Sequence, residues 1–350
     1  MDLIKKIKTK REKIFLFLDK KIKDHQYLFE TYDKNKNEYF ELLKNFIKRG
    51  KGIRGALVLL TDEIFDDKKI DELNLLYLAS FFEIMHSVLL IHDDFMDNDK
   101  FRRNEKTINY YFYNQFNNLK KNQNHLANSL AVNIGDIGFF IGFDFFNKIN
   151  SDYKNKKKIF SFIVSEYIKV ALAQTDDVIF SQTNIEPDID TIKKIYLHKT
   201  ARYTFVLPII STLYLKKNNL YKNKNLITIL EDLGLVFQIT DDFIGFLSDE
   251  TGKDKGSDIR ENKKTIIRYF LIEELKDSSL KNIFGKTNLT NKDIFQIRQF
   301  YQQSKTKEKI DFLLKNIEKD IYSNLKKINL PKQFHQLILD FFSYLIERKK

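Results

Sequence analysis

The sequence carries two aspartate clusters on helix-like apolar patterns, each followed by basic residues. The first reads His92-Asp93-Asp94-Phe95-Met96-Asp97 and leads into Asp99 and Arg102-Arg103. The second reads Phe237-Gln238-Ile239-Thr240-Asp241-Asp242 and continues through Gly252-Lys253 and Gly256-Ser257-Asp258 to Lys263-Lys264. Asp93 and Asp97 stand at i and i+4 on one helical face, where neighbouring carboxylates repel unless a cation sits between them. Carboxylates on an otherwise apolar helix are costly without such partners. Carboxylates with Lys and Arg close by suit Mg²⁺ and phosphate together. The metal bridges two anionic groups, and the basic side chains hold the remaining phosphate oxygens.

Weaker signals stand around these clusters. Gly50-Lys51-Gly52-Ile53-Arg54-Gly55 sets two cations three residues apart among glycines that let backbone approach a bulky anion. Glu83 and His86 precede Asp93 on the same apolar run, and Asp136 follows Gly135 in another. Gln174 and Asp177 share a helical face at i and i+3, and Lys199-Thr200 closes the segment from Ile192 to His198. Gln238, Asp241 and Asp242 repeat the pattern at i, i+3 and i+4, and Lys253, Asp258 and Lys263 follow in a glycine-containing loop.

These residues need long, stiff elements to hold them, and the composition favours helices. Of 350 residues 43% are hydrophobic, while Gly is only 11 and Pro only 3, with no repeated short alternating runs. Apolar residues recur at i, i+3, i+4 and i+7 in Leu75–Ile91, Phe160–Leu172 and Leu226–Ile239, the helical period. No flexible linker or fixed-period repeat divides the chain. The expectation is an all-α, single-domain antiparallel helical bundle spanning residues 1–350, with both aspartate clusters lining a central cavity.

The sequence also excludes chemistry. No Cys is present, so disulfides, thiolate zinc sites and a Cys nucleophile are ruled out, and the six His lack metal-ligand spacing. The formal charge of +12 is read as Lys-rich surface rather than as a nucleic-acid footprint. The apolar stretches around Phe81–Ile91 and Ile134–Phe146 are interrupted by Glu83, His86, Asp136 and Asp144, so no transmembrane segment is expected. The basic Met1–Lys10 segment lacks a secretory pattern, which predicts a cytoplasmic protein.

Taken in order, these features resemble the trans-isoprenyl diphosphate synthase family over about residues 45–270. The segment Thr251–Thr265 looks closest to short-chain geranylgeranyl or farnesyl diphosphate synthases of archaeal or bacterial type. The family's Gly-Lys-x-x-Arg and Lys-Thr elements correspond to Lys51/Arg54 and Lys199/Thr200. Three positions depart from the family's first element, which here has Arg49, Gly52 and Gly55. Gly245 stands where many members place a third aspartate of the second motif.

The resemblance implies a fold of isoprenoid-synthase type and the head-to-tail joining of isopentenyl diphosphate to an allylic prenyl diphosphate. It implies about three Mg²⁺ ions per active site, with Asp93 and Asp97 binding metal on one side of the allylic diphosphate and Asp241 on the other. Asp94 and Asp242 would orient waters and basic groups. Arg102, Lys199 and Lys253 would hold the allylic diphosphate, with Thr200, Asp258 and Lys263 near it. Lys51, Arg54, His86 and Arg103 would hold isopentenyl diphosphate, and Gln238 would sit beside the reacting carbons. A homodimer is implied as well. A class I terpene cyclase would leave Lys51, Arg54 and Arg103 idle, and a non-catalytic subunit of a heteromeric synthase should have lost aspartates.

Product length is read from the helix before Asp93. Many farnesyl-producing relatives place an aromatic residue four or five positions before the first Asp, where this chain has Leu89 and Val88, with Met85 one turn further. The first aromatics are Phe82 and Phe81, roughly 16–18 Å along the helix at about 1.5 Å per residue, a depth for about four isoprene units. The expected product is geranylgeranyl (C20) diphosphate, with C25 or longer and C15 as alternatives, and Val88→Phe is expected to shorten it.

Overall fold

The computed structural model describes residues 3–66, 68–119, 121–247, 256–275, 279–286 and 288–347. Among these residues the only strands form a hairpin of two residues each, and nearly everything else is helix or the turns between helices. The chain is all-α, as its helical periodicity predicts. Contacts group it into two compact units, Met1–Lys157 with Ser211–Asn218, and Lys158–Ile210 with Asn219–Lys350.

The first unit contains α1 (Leu3–Ile22), α2 (Gln26–Tyr32), α3 (Asn37–Lys48), α4 (Ile53–Ile64), α5 (Glu72–Met96), β1 (Phe101–Arg102), β2 (Glu105–Lys106), α6 (Ile108–Gln115) and α7 (Gln123–Asn147). Helix α5 starts where the Asp71 carboxylate accepts the backbone N–H groups of Leu73 and Asn74, which would otherwise lack partners. Its most apolar stretch is largely buried, as befits a core helix, although by length and composition both α5 and α7 could cross a membrane. Helix α7 packs on α5 through glycines. A Cβ on Gly135 would lie 2.2 Å from His92 Nε2, on Gly138 2.5 Å from Val88 Cγ2, and on Gly142 2.9 Å from Met85 Sδ. Larger residues would force the helices apart and pull α5 off its core.

The second unit holds most of α8 (Tyr153–Gln182), then α9 (Ile189–Tyr196), a π-helical segment (Leu197–Val206), the start of α10 (Leu207–Leu215), and α11 (Lys224–Leu247). Helices α12 (Ser257–Arg260), α13 (Ile266–Glu274), α14 (Asn291–Gln303), α15 (Thr306–Leu325) and α16 (Lys332–Glu347) complete it. Caps fix the helix starts: Asp188 accepts from Thr191 N–H, Thr265 from Arg268 N–H, and Thr290 and Asp293 form a reciprocal capping box. The apolar faces of α15 and α16 pack on α11, the helix that carries the second aspartate cluster. The π-helical segment lies against α11 where Gly234 admits it, since a Cβ there would lie 2.3 Å from Ala201 Cα.

Candidate active site

The first aspartate cluster closes α5. Asp97 is the residue after the last helical turn, its N–H donating to the Asp93 carbonyl at 2.9 Å, so Asp93 and Asp97 remain on one face. The guanidinium of Arg102, carried on β1, lies among three carboxylates. It donates to Asp94, reaches Asp93 Oδ2 at 3.1 Å and stands 3.5 Å from Asp99. Burial alone would lower the Arg102 pKa, but the three aspartates raise it above its ordinary value. Asp94 is fully buried, so its charge depends on that partner.

The hairpin that presents Arg102 turns through Arg103 and Asn104, both with positive φ (56° and 62°), as a two-residue turn between twisted strands requires. Arg103 donates to the Arg49 carbonyl, and Arg49 donates back to the Lys106 carbonyl at 3.2 Å. The hairpin is thereby tied to the glycine-rich loop that carries Lys51 and Arg54. Lys51 is exposed, Arg54 is buried, and His86 is half-buried. Burial and then the charges of Arg54, Arg103, Arg102 and Lys51 hold the His86 pKa well below the ordinary histidine value, so its imidazole is neutral at pH 7. For Arg103, burial and then Arg102 bring the pKa down to about 10. So many cations around one neutral histidine describe an anion site.

In the second unit the π-helical segment presents Lys199 and Thr200. Stretches of this kind are uncommon and cluster at functional sites. Lys199 Nζ lies 2.7 Å from Asp177 Oδ2, and Lys263 Nζ lies 3.0 Å from the same oxygen. Thr200 Oγ1 donates to Gln238 Oε1 at 2.7 Å, and Gln238 Nε2 donates to Asp242 Oδ1 at 2.7 Å. The Tyr196 hydroxyl donates to the other Asp242 oxygen and accepts the Ile266 N–H at 3.0 Å. Burial first, with Asp258 and Asp241 adding, pushes the Asp242 carboxyl well above its ordinary pKa against those two donors. Asp241, half-buried beside it, is the more accessible carboxylate of the pair. Lys253 lies outside the described residues.

The departure at Gly245 has a steric cause. A Cβ there would come within 2.6 Å of Asp258 Oδ2, so Asp258 brings a carboxylate to the place a third motif aspartate would otherwise fill. Gly52 is likewise required, with φ of +73° and its missing Cβ directed at Arg11 Cγ, 2.7 Å away.

Among the described residues no three acidic or histidine side chains converge on a metal position. Mg²⁺ needs no such cage, since it typically takes one or two carboxylates and completes its octahedron with phosphate and water oxygens. The hard carboxylate donors in both clusters fit that ion.

A cavity of about 920 Å³ in the first unit, lined by Tyr39, Phe112, Ile134, Ile141 and the His25–Asp144 pair, contains none of the residues singled out above.

The description of polyprenyl synthetases matches residues 36–302. The chain belongs to the polyprenyl synthetase family. A short chain isoprenyl diphosphate synthase of Methanocaldococcus jannaschii is 28% identical over 273 residues, 76% of each chain. A geranylgeranyl diphosphate synthase of Sulfolobus acidocaldarius is 27% identical over 244 residues, 67% of each chain. The crystal structure of geranylgeranyl pyrophosphate synthase from Corynebacterium glutamicum, complexed with isoprenyl diphosphate and magnesium, has the same fold. It aligns with a TM-score of 0.86 at 20% identity over 100% of this chain and 99% of that one. The family is one of prenyltransferases.

The residues from which product length is read in the sequence lie on the helix before the first aspartate. Phe82, His86, Leu89 and Asp93 recur at helical spacing on one face of α5, and His86, Leu89 and Asp93 are half-buried along it. Met85 and Val88, expected beside them, instead face the α7 glycines and are almost fully buried. Phe81 packs on Phe146 at 5.5 Å between ring centroids.

Sequence reasoning gives Glu83 no role of its own and misses Tyr196, which donates to the motif residue Asp242. A carboxylate inside the apolar run of α5 could have flagged Glu83. Tyr196 carries no such signal, because its partner Asp242 is distant in sequence.

Proposed function

We propose that this prenyltransferase joins isopentenyl diphosphate head to tail to an allylic diphosphate and makes an all-trans product, geranylgeranyl (C20) diphosphate. The observation that carries this reading is a pair of part-buried networks around the motif aspartates, Arg102 with Asp93 and Asp94 in one and Tyr196 and Gln238 with Asp242 in the other. In the reaction the allylic C1–O bond breaks and diphosphate leaves with the electron pair. The isopentenyl double bond then attacks C1, and a proton passes from the new carbocation to the departed diphosphate.

Asp93 in the last turn of α5, Asp97 just after it, and Asp241 on α11 are the proposed ligands of Mg²⁺, about three ions per site by family resemblance. Bound there, the metal supplies charge to the leaving group. Arg102 keeps Asp93 and Asp94 oriented and, with Lys199 and Lys253, holds the allylic diphosphate. Thr200 and Asp242 fix Gln238 beside the reacting carbons, and Asp258 and Lys263 support the same side. Lys51, Arg54, His86 and Arg103 bind the diphosphate that does not ionise. No protein nucleophile is needed, because preorganised charge stabilises the leaving group. A cytoplasmic homodimer is the proposed working form.

The test is incubation with isopentenyl diphosphate and dimethylallyl, geranyl or farnesyl diphosphate, followed by chain-length analysis. A C20 product from at least one primer is expected. Failure to consume isopentenyl diphosphate with any primer would overturn the reading.

A further inference from the structure

Helix α4 begins from Gly52, a left-handed residue with no side chain to cap the helix. The first N–H groups of any helix lack intrahelical partners, and buried ones must be satisfied elsewhere. Here the partner comes from another helix. The backbone N–H of Gly55 donates to Glu83 Oε1 at 2.8 Å, and the backbone N–H of Arg54 donates to the same carboxylate. Glu83 sits in the middle of α5 and is 1% exposed. The contact is tight on several sides. A Cβ on Gly55 would fall 3.3 Å from Glu83 Cγ and 3.1 Å from the Ala79 carbonyl, and one on Gly50 would fall 3.3 Å from Glu83 Oε2.

The loop is pinned from its other side by Arg11, whose Nε donates to the Gly50 carbonyl at 2.7 Å and whose guanidinium also reaches the Lys48 carbonyl at 2.9 Å. A carboxylate buried this deeply is costly unless bonded and compensated by positive charge. Burial raises the Glu83 pKa, while the Gly55 N–H and the charges of Arg54 and Arg103 oppose that rise. The Glu83 carboxylate therefore accepts backbone N–H groups at the start of α4 and lies within electrostatic reach of Arg54 and Arg103.

We propose that Glu83 is a positioning residue for isopentenyl diphosphate. By capping α4 from α5, it fixes the direction in which Lys51 and Arg54 present their charges. This rests on the reading of Lys51 and Arg54 given above. The alternative, that Glu83 acts on the anion only through its charge, makes an opposite prediction. Removing a negative charge would then tighten isopentenyl diphosphate binding.

Two substitutions separate reach from charge. Glu83→Asp keeps the charge but withdraws the carboxylate by one methylene, and Glu83→Gln keeps the reach and one acceptor but removes the charge. With full-length enzyme, Glu83→Asp is expected to raise KM for isopentenyl diphosphate about tenfold and to leave the allylic KM within about twofold, and Glu83→Gln to recover most of that loss. Lys51→Ala serves as the reference for the site. If Lys51→Ala raises KM for isopentenyl diphosphate and Glu83→Asp does not, the Glu83 assignment is overturned while the site stands. A Gln variant that binds isopentenyl diphosphate more tightly than wild type, or an Asp variant that raises both KM values equally, overturns it too. If Lys51→Ala itself has no effect, the site reading fails independently of Glu83. Should Glu83→Asp fold poorly, direct binding of isopentenyl diphosphate to Glu83→Gln still decides between reach and charge.

Discussion

The Lys199 ammonium lies 2.7 Å from Asp177 Oδ2, an oxygen it shares with Lys263 at 3.0 Å. One carboxylate on α8 thus gathers two cations that would otherwise repel. Burial alone would push the Asp177 carboxyl up, but the charges and hydrogen bonds of Lys199 and Lys263 bring it down to about 2 from 3.8. A depressed carboxylate pKa stabilises the fold above the unfolded value, and that contribution is lost as pH falls through the folded value. That depression corresponds to about 2 kcal/mol at neutral pH. Asp177→Asn is expected to lower unfolding stability by about that amount at pH 7, with the gap to wild type narrowing between pH 4 and pH 2. Urea unfolding at pH 7 and pH 3 measures it, and a gap of equal size at both would refute the linkage.

The two diphosphates should separate kinetically. Lys51→Ala and Arg54→Ala are expected to raise KM for isopentenyl diphosphate by about tenfold or more, the worth of one charge-assisted hydrogen bond. Lys199→Ala should act on the allylic substrate instead. Initial rates with each substrate varied in turn decide it. If Lys51→Ala raised only the allylic KM, the two sites would have to be exchanged.

Much of this was legible in the sequence, for identifiable reasons. The all-α fold follows from helical periodicity with few breakers, and the aspartate clusters stand out because acidic residues interrupt apolar helices. What stayed hidden depends on contacts between distant segments. The π-helical turn that carries Lys199 and Thr200 reads as an ordinary helical period, and the close approach of Ala201 to Gly234 appears only in the folded chain. The role of Glu83 lies with backbone N–H groups on another helix, which no side-chain pattern encodes. Gly245 departs from the family pattern in the sequence, and only the position of Asp258 against it gives a steric reason.

Metal dependence gives the largest expected effect. Asp93→Ala or Asp241→Ala should lower turnover by roughly 10³–10⁵, the loss of about 4–7 kcal/mol of ionisation assistance. Folding should survive, because Asp241 and Asp93 are half-buried at helix faces rather than in the core. Rates at saturating Mg²⁺, with circular dichroism as the folding control, provide the check. Near-normal turnover in either variant would remove that residue from the metal site.

Product length is where the structure changes the expected mutation. Val88→Phe, the substitution suggested by position alone, would enlarge a side chain already against Gly138, where even one added carbon on the glycine would sit 2.5 Å away. Overpacking of that kind typically costs about 1–3 kcal/mol, so Val88→Phe should chiefly lower the melting temperature. Leu89 is different. It lies one turn before Asp93 on the same face of α5 and is half-buried, so under the proposed function a ring there would enter the space beside the growing chain. Leu89→Phe is therefore expected to shorten the product from the proposed C20 toward C15 with little loss of stability. Phe82, a further two turns back on that face and fully buried, is the expected floor, and Phe82→Ala should lengthen the product beyond C20. Chromatography of the dephosphorylated products with dimethylallyl or geranyl diphosphate as primer reads both changes. If Val88→Phe shortens the product and Leu89→Phe does not, the chain runs along the α7 side of α5, and the floor must be sought near Met85 and Gly142.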